Sequence, residues 1–439
     1  MDERLRERLL EALDRFNPCD ACLGRAFGYR LTGLENRERG RALKLTLGML
    51  AQAEDDTDAL ELLARSGLEE ATAVLDDPPS PEPCGICEGV LSRCDEFAEA
   101  AALELEELDF DGFIIGSRWP DRVLDREREL WDVLETEGEP IKREFNREVG
   151  KRVERILGER ADPRDPDAEL IFDFRPSLDD PKLELNVKPV YVRGRYLKLR
   201  RGLPQTKWPC PKCKGAGCSE CDYTGKVYLE SVEELIGMVL KDAFLAEYHK
   251  FHAAGREDID VRMLGNGRPF VIELLYPKRR TADLRRLEER IEKEVGNKVR
   301  VRDLELGEAE DVRRVKDLSE RSLKRYRAWV VFEREVSEDR VRKALNELTE
   351  REIHQRTPRR VLHRRADKVR VKRVHEARLI RHEGDEAVVE FLCDPGLYVK
   401  ELISGDEGRT RPSLAELVGV RAECERLDVI EFLEEGDRG

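Results

Sequence analysis

Near its middle the chain reads Gly255-Arg-Glu-Asp-Ile-Asp-Val-Arg-Met-Leu-Gly-Asn-Gly-Arg-Pro-Phe270. From Asp258 to Leu264 polar and apolar residues alternate with period two, the pattern of a strand that buries one face. Gly265-Asn-Gly267 then predicts a turn into a second strand from Phe270 to Tyr276. We therefore expect a β-hairpin that carries three charged side chains on one face, namely Asp258, Asp260 and Arg262. On this pattern alone, a solvated ion pair is a simpler interpretation of that face than a catalytic site.

A helix is predicted directly before this stretch. Ser231, followed by Glu234 three residues later, is a capping box, in which each side chain satisfies a backbone amide of the first turn. Apolar residues then recur at helical spacing, and we expect the helix to end near residues 252–255. Helical leucine spacing also occurs far upstream, at Leu43, Leu47 and Leu50.

The charge of the chain is large and unevenly distributed. Its 439 residues include 80 basic and 95 acidic ones, for a net charge of −15. Residues 51–110 hold 18 acidic and 2 basic residues, a net of −16, whereas residues 351–382 hold 12 basic and 3 acidic residues, a net of +9. Because phosphate attraction acts over roughly 8 Å at physiological salt, a local basic surface can bind RNA despite the overall charge. The alternative is a solvated charged face without a ligand.

The sequence contains no apolar N-terminal stretch typical of a signal peptide and no run of about 18 apolar residues. We therefore expect a soluble, cytoplasmic protein without a membrane partner. A chain of this length predicts two or three domains.

Eleven cysteines occur mostly as Cys-x-x-Cys pairs, which in a large chain of this kind indicate metal binding rather than disulfides. Two tetrads are predicted, the first formed by Cys19, Cys22, Cys84 and Cys87 and the second by Cys210, Cys213, Cys218 and Cys221. The second tetrad repeats after eight residues together with Gly217 and Gly225, and such glycines let backbone amides point at sulfur. Four thiolates fill the coordination sphere of zinc, so both sites are expected to be structural. Buried reduced cysteines in the first tetrad, or a redox role for a pair, are the alternatives.

A domain boundary is predicted near residue 190. Residues 158–184 are rich in proline and aspartate, which predicts a loop, and apolar alternation resumes through Leu183, Leu185 and Val187. The predicted domains are residues 1–190 and 191–439, with the second zinc knuckle inserted at residues 208–226.

The stretch from Gly255 to Phe270 closely resembles the signature of the archaeal and eukaryotic tRNA pseudouridine synthase family that acts on the TΨC arm. The resemblance continues along essentially the whole chain. It includes Cys19-Asp-Ala-Cys-Leu-Gly-Arg25, Arg201-Gly-Leu-Pro-Gln-Thr-Lys-Trp208, Ser231-Val-Glu-Glu-Leu-Ile236, Arg356-Thr-Pro-Arg-Arg-Val-Leu-His-Arg-Arg365 and Gly396-Leu-Tyr-Val-Lys-Glu-Leu-Ile-Ser-Gly-Asp-Glu-Gly-Arg-Thr-Arg-Pro412.

This resemblance implies an N-terminal zinc-stapled, THUMP-containing RNA-binding domain. It implies the α+β class, with a C-terminal pseudouridine synthase domain built on a mixed, largely antiparallel central sheet. The implied reaction converts uridine to pseudouridine at position 54, position 55 or both in the TΨC loop of tRNA. An isomerisation needs no redox cofactor, nucleotide cofactor or catalytic metal, so structural zinc is the only bound group expected.

The resemblance also implies roles for single residues. Asp258 is the expected nucleophile, with Asp260 as its rival. Tyr326 resembles the tyrosine of a Tyr-x-Ala motif that stacks on the target base, and Lys400 resembles the basic residue that pairs with the catalytic aspartate. Val399 and Leu427 are expected to pack around the uracil. The expected phosphate contacts are Arg359, Arg360, Arg364, Arg365 and Lys368.

Two other functions are compatible with parts of the sequence. One is a non-catalytic tRNA-binding zinc protein with a decayed synthase domain, against which the intact set of Asp258, Tyr326 and Lys400 argues. The other is a different THUMP-bearing tRNA modifier, such as a methyltransferase or thiolase. Such enzymes need a glycine-rich cofactor loop or a phosphate-binding loop, and Gly265-Asn-Gly267 predicts only a turn.

Overall fold

The computed structural model describes residues 2–31, 33–158, 162, 164–363 and 365–434. The chain divides into two units, Met1–Lys188 and Pro189–Gly439. Among the described residues, no helix combines the length and the apolar character needed to cross a membrane.

The first unit is mainly helical with a small sheet. Its helices are α1 (Glu3–Phe16), α2 (Asp20–Arg25), α3 (Asn36–Ala53), α4 (Thr57–Arg65), α5 (Glu69–Thr72), α6 (Cys94–Leu105), α7 (Asp121–Leu134) and α8 (Ile141–Leu157). Its strands are β1 (Phe113–Arg118), β2 (Ala168–Asp173) and β3 (Lys182–Val187). The helical leucine spacing predicted from the sequence is confirmed in α3. Strand β1 pairs parallel with β2, and β2 pairs antiparallel with β3.

Aromatic rings form the centre of the first unit. Phe97 makes edge contacts with Phe145, Phe172 and Phe174, with ring centroids 5.4–5.5 Å apart. Trp119 stacks on Phe174 at 4.5 Å. Two of these rings come from β2 and the residue after it, in a region predicted to be loop. That part of the prediction for residues 158–184 is wrong, because Ala168–Asp173 pairs with β3 on one side and with β1, about 50 residues earlier in the chain, on the other.

The second unit contains a large sheet with helices. Its strands are β4 (Val190–Lys198), β5 (Tyr248–Ala253), β6 (Arg262–Leu275), β7 (Val299–Gly307), β8 (Leu323–Phe332), β9 (Ile353–Arg356), β10 (Val369–Lys372), β11 (Val374–Glu383), β12 (Glu386–Cys393), β13 (Thr410–Arg411) and β14 (Ala422–Leu433). Its helices are α9 (Val232–Ala243), α10 (Leu284–Val295), α11 (Ala309–Arg321), α12 (Glu338–Glu350), α13 (Val399–Ser404) and α14 (Leu414–Val418).

The central sheet has the order β11-β12-β8-β14-β6-β4-β7, and β5 adds to β6. Its described pairs are antiparallel except for β14 and β6, which run parallel through a short register at Asp428 and Val429. The predicted α+β class with a mixed, largely antiparallel sheet is confirmed. A small second sheet of β10, β9 and β13 carries the basic segment.

The predicted hairpin at Gly265-Asn-Gly267 is wrong. Strand β6 runs through these residues without reversing, and β4 pairs with it on both sides of them. Gly265 and Gly267 have φ angles of 60° and 76°, which side chains rarely adopt. A Cβ atom on Gly265 would lie 1.7 Å from the carbonyl oxygen of Ile430, so the glycine lets β14 approach. These glycines therefore allow a local distortion within β6, and they do not form a turn between two strands.

The helix predicted after Ser231 begins as expected and ends earlier. The Ser231 hydroxyl accepts a hydrogen bond from the Glu234 amide, which confirms the N-terminal cap. Helix α9 stops at Ala243, and residues 248–253 form β5 instead of further helix. The reason is tertiary, because β5 pairs along its whole length with β6.

Candidate active site

Asp258 lies on a short irregular loop between β5 and β6, which we call the Asp258 loop (residues 255–261). The loop begins at Gly255, whose φ angle is 78°, and it turns tightly because the Val261 amide donates to the Asp258 carbonyl. The residues from Asp258 to Val261 are therefore not strand, contrary to the sequence pattern. The contacts that surrounding side chains make with this loop determine the direction of the Asp258 carboxylate.

Glu257 is the buried anchor of the Asp258 loop. Its side chain is 1% exposed and accepts hydrogen bonds from Arg268 Nε at 3.0 Å and from the Tyr196 hydroxyl at 2.9 Å. Lys198 Nζ lies 3.6 Å from its other oxygen. Burial alone would raise the pKa of Glu257, but the charges of Arg268 and Lys198 outweigh it and hold that pKa below its ordinary value. Glu257 is therefore a buried carboxylate kept ionised by two cations.

The same side chains also hold the backbone of the loop. Lys198 Nζ donates to the carbonyl of Asp258 at 3.0 Å, and Arg268 Nη1 donates to that of Ala254 at 2.6 Å. Gln205 Nε2 donates to the Gly255 carbonyl at 2.9 Å. Since these three donors come from β4, β6 and the segment after β4, the start and the middle of the loop are tied to the sheet.

Asp258 faces a guanidinium that is itself fixed. Arg360 Nη1 lies 2.7 Å from Asp258 Oδ2, and Arg360 Nε lies 2.6 Å from Oε1 of the buried Glu401. The guanidinium also stands 5.7 Å from the centre of the Tyr398 ring. Burial opposes the charge of Arg360, but Glu401 and Asp258 raise the pKa of this group above its ordinary value. Arg360 was expected to contact phosphate, whereas here its nitrogens are engaged by two carboxylates.

Lys400 stands between the two aspartates. Its Nζ lies 2.6 Å from Asp260 Oδ2 and 3.9 Å from Asp258 Oδ2. Partial burial opposes ionisation of Asp260, but the hydrogen bond from Lys400 outweighs it and lowers the pKa of Asp260. The carboxylate of Asp260 is 58% exposed and that of Asp258 is 30% exposed. The third charged residue of the predicted face, Arg262, points elsewhere and pairs with Asp428 at 2.6 Å.

A cleft of about 770 Å³ opens in front of Asp258. Several of the residues predicted from the sequence line it together, namely Asp258, Tyr326, Arg360, Arg365, Val399, Lys400 and Leu427. Val399 and Leu427 are almost fully buried and form apolar wall. The described lining does not include Asp260. The cleft is thus charged around Asp258 and apolar beside it, which suits a nucleoside with a polar sugar and a flat base.

Tyr326 lies within β8 and not at its start. Burial raises the pKa of Tyr326, so its phenol remains protonated at neutral pH. The phenol is therefore available as a hydrogen-bond donor, and the ring offers a flat apolar surface.

The basic segment around β9 and β10 has several exposed cations. Arg359 pairs with Glu407, and Lys368 and Arg365 are exposed, with Arg365 at the cleft. Arg364, the remaining predicted phosphate contact, lies outside the described residues. The structure brings Arg360 and Arg365 to the cleft but leaves Arg359 out of its lining.

Sequence reasoning missed the residues that hold the Asp258 loop. None of Glu257, Lys198, Arg268, Tyr196 and Gln205 was singled out, although Glu257, Arg268 and Gln205 fall in quoted motifs. The charge of Glu257, directly before the candidate nucleophile Asp258, could have indicated that Glu257 supports the site. Its burial, however, depends on strands that the sequence did not place.

The structure brings the four sulfur atoms of each predicted tetrad within 4.8 Å of one another. The sulfurs of Cys19 and Cys87 are 3.8 Å apart, and those of Cys213 and Cys221 are also 3.8 Å apart. A tetrahedral zinc with bonds of about 2.3 Å to sulfur requires sulfurs separated by about 3.8 Å. The donor set and spacing therefore fit a structural zinc ion at each tetrad.

Backbone amides support this interpretation. The amides of Gly217 and Gly225 each donate to the sulfur four residues earlier, Cys213 and Cys221, at 3.2 Å. The eight-residue repeat of the sequence is thus also a repeat of hydrogen bonds. Amides directed at sulfur stabilise thiolate ligands. Cys94, by contrast, is a buried thiol outside both tetrads.

Comparison with known proteins gives matches along the whole chain. The family model described as "Pus10, C-terminal" matches residues 191–432, and the model described as "Pus10 THUMP domain, archaeal" matches residues 97–173. The tRNA pseudouridine synthase Pus10 of Methanopyrus kandleri is 74% identical over 430 residues, which cover 98% of this chain and 99% of that protein. The protein of the same name from Archaeoglobus fulgidus is 48% identical over 351 residues, covering 80% of this chain and 94% of that protein.

A solved structure also overlaps the chain in part. A chain of a Cbf5-Nop10-Gar1 complex is 16% identical, with a TM-score of 0.32, and the overlap covers 55% of this chain and 50% of that one.

Replacement of the buried anchor should be strongly destabilising. In Glu257→Gln, Arg268 and Lys198 lose their buried counter-charge, so we expect the free energy of unfolding to fall by about 3–5 kcal/mol. The matched control is Glu305→Gln, whose carboxylate forms an exposed pair with Arg193 and should cost at most about 1 kcal/mol. Denaturant unfolding measures the free energy of unfolding of both variants. Equal losses of stability in the two variants would contradict the anchoring role of Glu257.

The difference in the free energy of unfolding between the wild type and Glu257→Gln should depend on pH. Because the folded-state pKa of Glu257 is lowered, its contribution to stability is present above the unfolded value and is lost as pH falls through the folded value. The difference in stability between the wild type and Glu257→Gln should therefore be constant near neutral pH and shrink below about pH 4. A difference that grew on acidification would argue against an ionised Glu257.

Metal content provides a test of the tetrads. We expect about two zinc ions per chain by elemental analysis, since each tetrad supplies a complete set of four ligands. Cys213→Ser should reduce this to about one, while Cys424→Ser, outside both tetrads, should leave it at about two. Unchanged metal content in the Cys213 variant would show that the second tetrad is not the site.

Proposed function

This chain belongs to the Pus10 family of tRNA pseudouridine synthases, and we propose that it isomerises uridine to pseudouridine in the TΨC loop of tRNA with Asp258 as nucleophile. The proposed target is uridine 54, uridine 55 or both. The observation that carries this proposal is the cleft lined jointly by Asp258, Tyr326 and Lys400, with apolar wall from Val399 and Leu427.

The proposed chemistry requires one carboxylate with access to the ribose. Asp258 either attacks C1′ of the target nucleotide or removes a proton from C2′, and in both routes the bond between C1′ and N1 breaks. The freed base turns and rejoins C1′ through C5. Because the product is an isomer of the substrate, the reaction consumes no cofactor.

The surroundings of Asp258 support this role. Arg360 at 2.7 Å stabilises its carboxylate and is prevented from swinging away by the buried Glu401. The loop backbone is tied by Lys198 and Gln205, so the carboxylate is held before substrate arrives. In this proposal Arg360 takes the position next to Asp258 that we had expected for Lys400, and Lys400 bridges to Asp260.

Exposure and position favour Asp258 over Asp260. Asp260 forms the shorter contact with Lys400 and is 58% exposed, which is typical of a solvated ion pair. Its proposed role is to orient Lys400. Tyr326 is proposed to stack on the target base, an interaction worth ~1–3 kcal/mol per base.

The basic segment is proposed to bind the tRNA backbone. Arg359, Arg365 and Lys368 are exposed and lie on or beside the small sheet of β9 and β10, near the cleft. The target uridine lies in a folded tRNA elbow, so it must be exposed by flipping at a cost of a few kcal/mol. Phosphate contacts would help to offset that cost. Both metal ions are proposed to be zinc with a structural role, because each tetrad leaves no open coordination position.

The nucleophile is tested by incubating purified enzyme with an unmodified tRNA transcript and mapping pseudouridine. We expect product from the wild type at position 54 or 55, none from Asp258→Asn, and reduced but measurable product from Asp260→Asn. Both variants conserve size and remove one charge, so each is the control of the other. Full activity of the Asp258 variant would refute our assignment, and a wild type without product would favour a binding protein.

The phosphate contacts are tested through the salt dependence of tRNA affinity. Replacing Arg359, Arg365 and Lys368 with glutamine should flatten the plot of log affinity against log salt by about 0.7–0.9 for each phosphate that is no longer neutralised. The matched control replaces Arg285, Arg286 and Arg290 on α10, which removes the same charge elsewhere. If both triple variants changed the slope equally, the basic segment would have no special place in tRNA binding.

A further inference from the structure

Lys324 is a buried lysine in the active-site cleft that the chemistry above does not use. It precedes Tyr326 by two positions on β8, so the two side chains point to the same face of the sheet. Both line the cleft, and Lys324 is only 5% exposed. The ammonium group therefore lies deep in the cleft, beside the tyrosine proposed to stack on the base.

Lys324 has no counter-charge among the residues that the structure describes, and its Nζ has no hydrogen-bond acceptor there. The contact of its Nζ is the face of the Phe432 ring, 5.0 Å from the ring centre. Across the sheet it is paired with Cys393 on β12 and Phe432 on β14. The charged groups that face it are both cations, Arg268 from β6 and Lys372 from β10.

The nearest neutral groups do not supply a negative charge either. Burial raises the pKa of Cys393 and of Tyr326, so both remain protonated at neutral pH. The buried carboxylate of Glu257 is already shared by Arg268 and Lys198. Three buried basic side chains thus stand against one buried carboxylate, and an excess of buried basic groups of this kind is typical of sites that bind or create negative charge.

We propose that Lys324 is a further catalytic residue, which donates a hydrogen bond to a carbonyl oxygen of the target uracil and stabilises the negative charge that the base acquires when its bond to ribose breaks. This inference rests on the proposed function. In this scheme Lys324 acts on the uracil as an electrophilic group, while Asp258 acts on the ribose.

The charge that Lys324 would stabilise follows from the electron count. When the bond from C1′ to N1 breaks, its electron pair leaves with the base and spreads from N1 onto the two carbonyl oxygens. C1′ meanwhile bonds to the Asp258 carboxylate, or C2′ gives its proton to that carboxylate. When C5 then bonds to C1′, the carboxylate either leaves C1′ or returns the proton to C2′, according to the route, and C5 loses its proton while N1 gains one. Lys324 itself forms and breaks no covalent bond.

The depth of Lys324 favours the base over a phosphate as its ligand. A phosphate of the tRNA backbone carries its charge before and after reaction and stays hydrated, which suits the exposed Arg365 at the cleft. The uracil is the flat, neutral part of the nucleotide that can enter a nearly dry site, and its charge appears only in the reaction. A fixed donor in a dry site is most effective against charge that develops during the reaction.

The first test compares Lys324→Met with the wild type under saturating tRNA. Removing one such donor should lower kcat by about 10²–10³-fold while the Kd for tRNA and its salt slope stay unchanged. Methionine fills similar volume and removes an uncompensated ammonium, so the melting temperature should not fall. Lys343→Met, an exposed lysine on α12, is the control for the substitution itself.

The second test changes the leaving group. In a transcript that carries 5-fluorouridine, the fluorine withdraws electrons and makes the departing base a more stable anion. Consumption of the target nucleoside, followed by nucleoside mass spectrometry, should therefore show a smaller defect for Lys324→Met on the fluorinated substrate than on the normal one. Equal defects on both substrates would overturn the proposal in favour of a structural role.

The third test uses the pH dependence of the wild type, and Lys324→Met serves as its control. Burial, followed by the charges of Arg268 and Lys372, lowers the pKa of Lys324 to about 7. The ammonium is the form that stabilises an anion, so kcat/KM should decline as pH rises through about 7. Residual activity of Lys324→Met should lack this decline, and a wild type without it would contradict the proposal.

The outcomes separate this inference from the function on which it rests. A wild type that forms no pseudouridine contradicts the proposed function. An active wild type with a fully active Lys324→Met variant overturns only the role of Lys324. If the variant binds tRNA more weakly and its salt slope falls by about 0.7–0.9 at unchanged kcat, then Lys324 binds a phosphate and the proposal is wrong.

Discussion

The ion pair between Glu257 and Arg268 is the interaction on which the candidate site depends. Both side chains are almost fully buried, and each also fixes the backbone at or before the Asp258 loop. Arg268 donates to the backbone before the Asp258 loop, and Glu257 is itself part of the loop. Lys198 completes the cluster by binding the carbonyl of Asp258. A loop without regular secondary structure is thereby fixed to the sheet, because removal of either Glu257 or its cations would leave buried charge uncompensated.

Outside this cluster the charges of the cleft divide into two kinds. Asp258 faces a cation that is already neutralised by a buried carboxylate, so the pair of Arg360 and Glu401 acts as a rigid hydrogen-bonding surface. Lys324, in contrast, is buried without any described counter-charge. The arrangement of Arg360 and Glu401 suits Asp258, a group that must be oriented before substrate binds. The second suits a group whose partner appears only during the reaction.

A metal ion held by each cysteine tetrad would stabilise the chain in a different way. Four thiolates on one ion would close a small loop at the second tetrad and tie distant segments together at the first, so the order they impose would not depend on a large apolar core. The knuckle at residues 208–226 needs this support, since it contains only a short bridge between Pro209 and Lys226 besides one turn of 3₁₀ helix. The acidic first unit has aromatic packing as well as its tetrad.

The sequence by itself determined the features whose causes are local. The spacing of Cys210 to Cys221 specified a tetrad, Ser231 specified a helix start, and the resemblance over Gly255–Phe270 specified the family and the expected nucleophile. Only the tertiary structure decided that the helix after Ser231 stops at Ala243 and that β6 passes straight through Gly265. It also decided that Arg360, rather than Lys400, stands closest to Asp258. These outcomes depend on strand pairing and burial between residues far apart in the chain, and no local pattern contains that information.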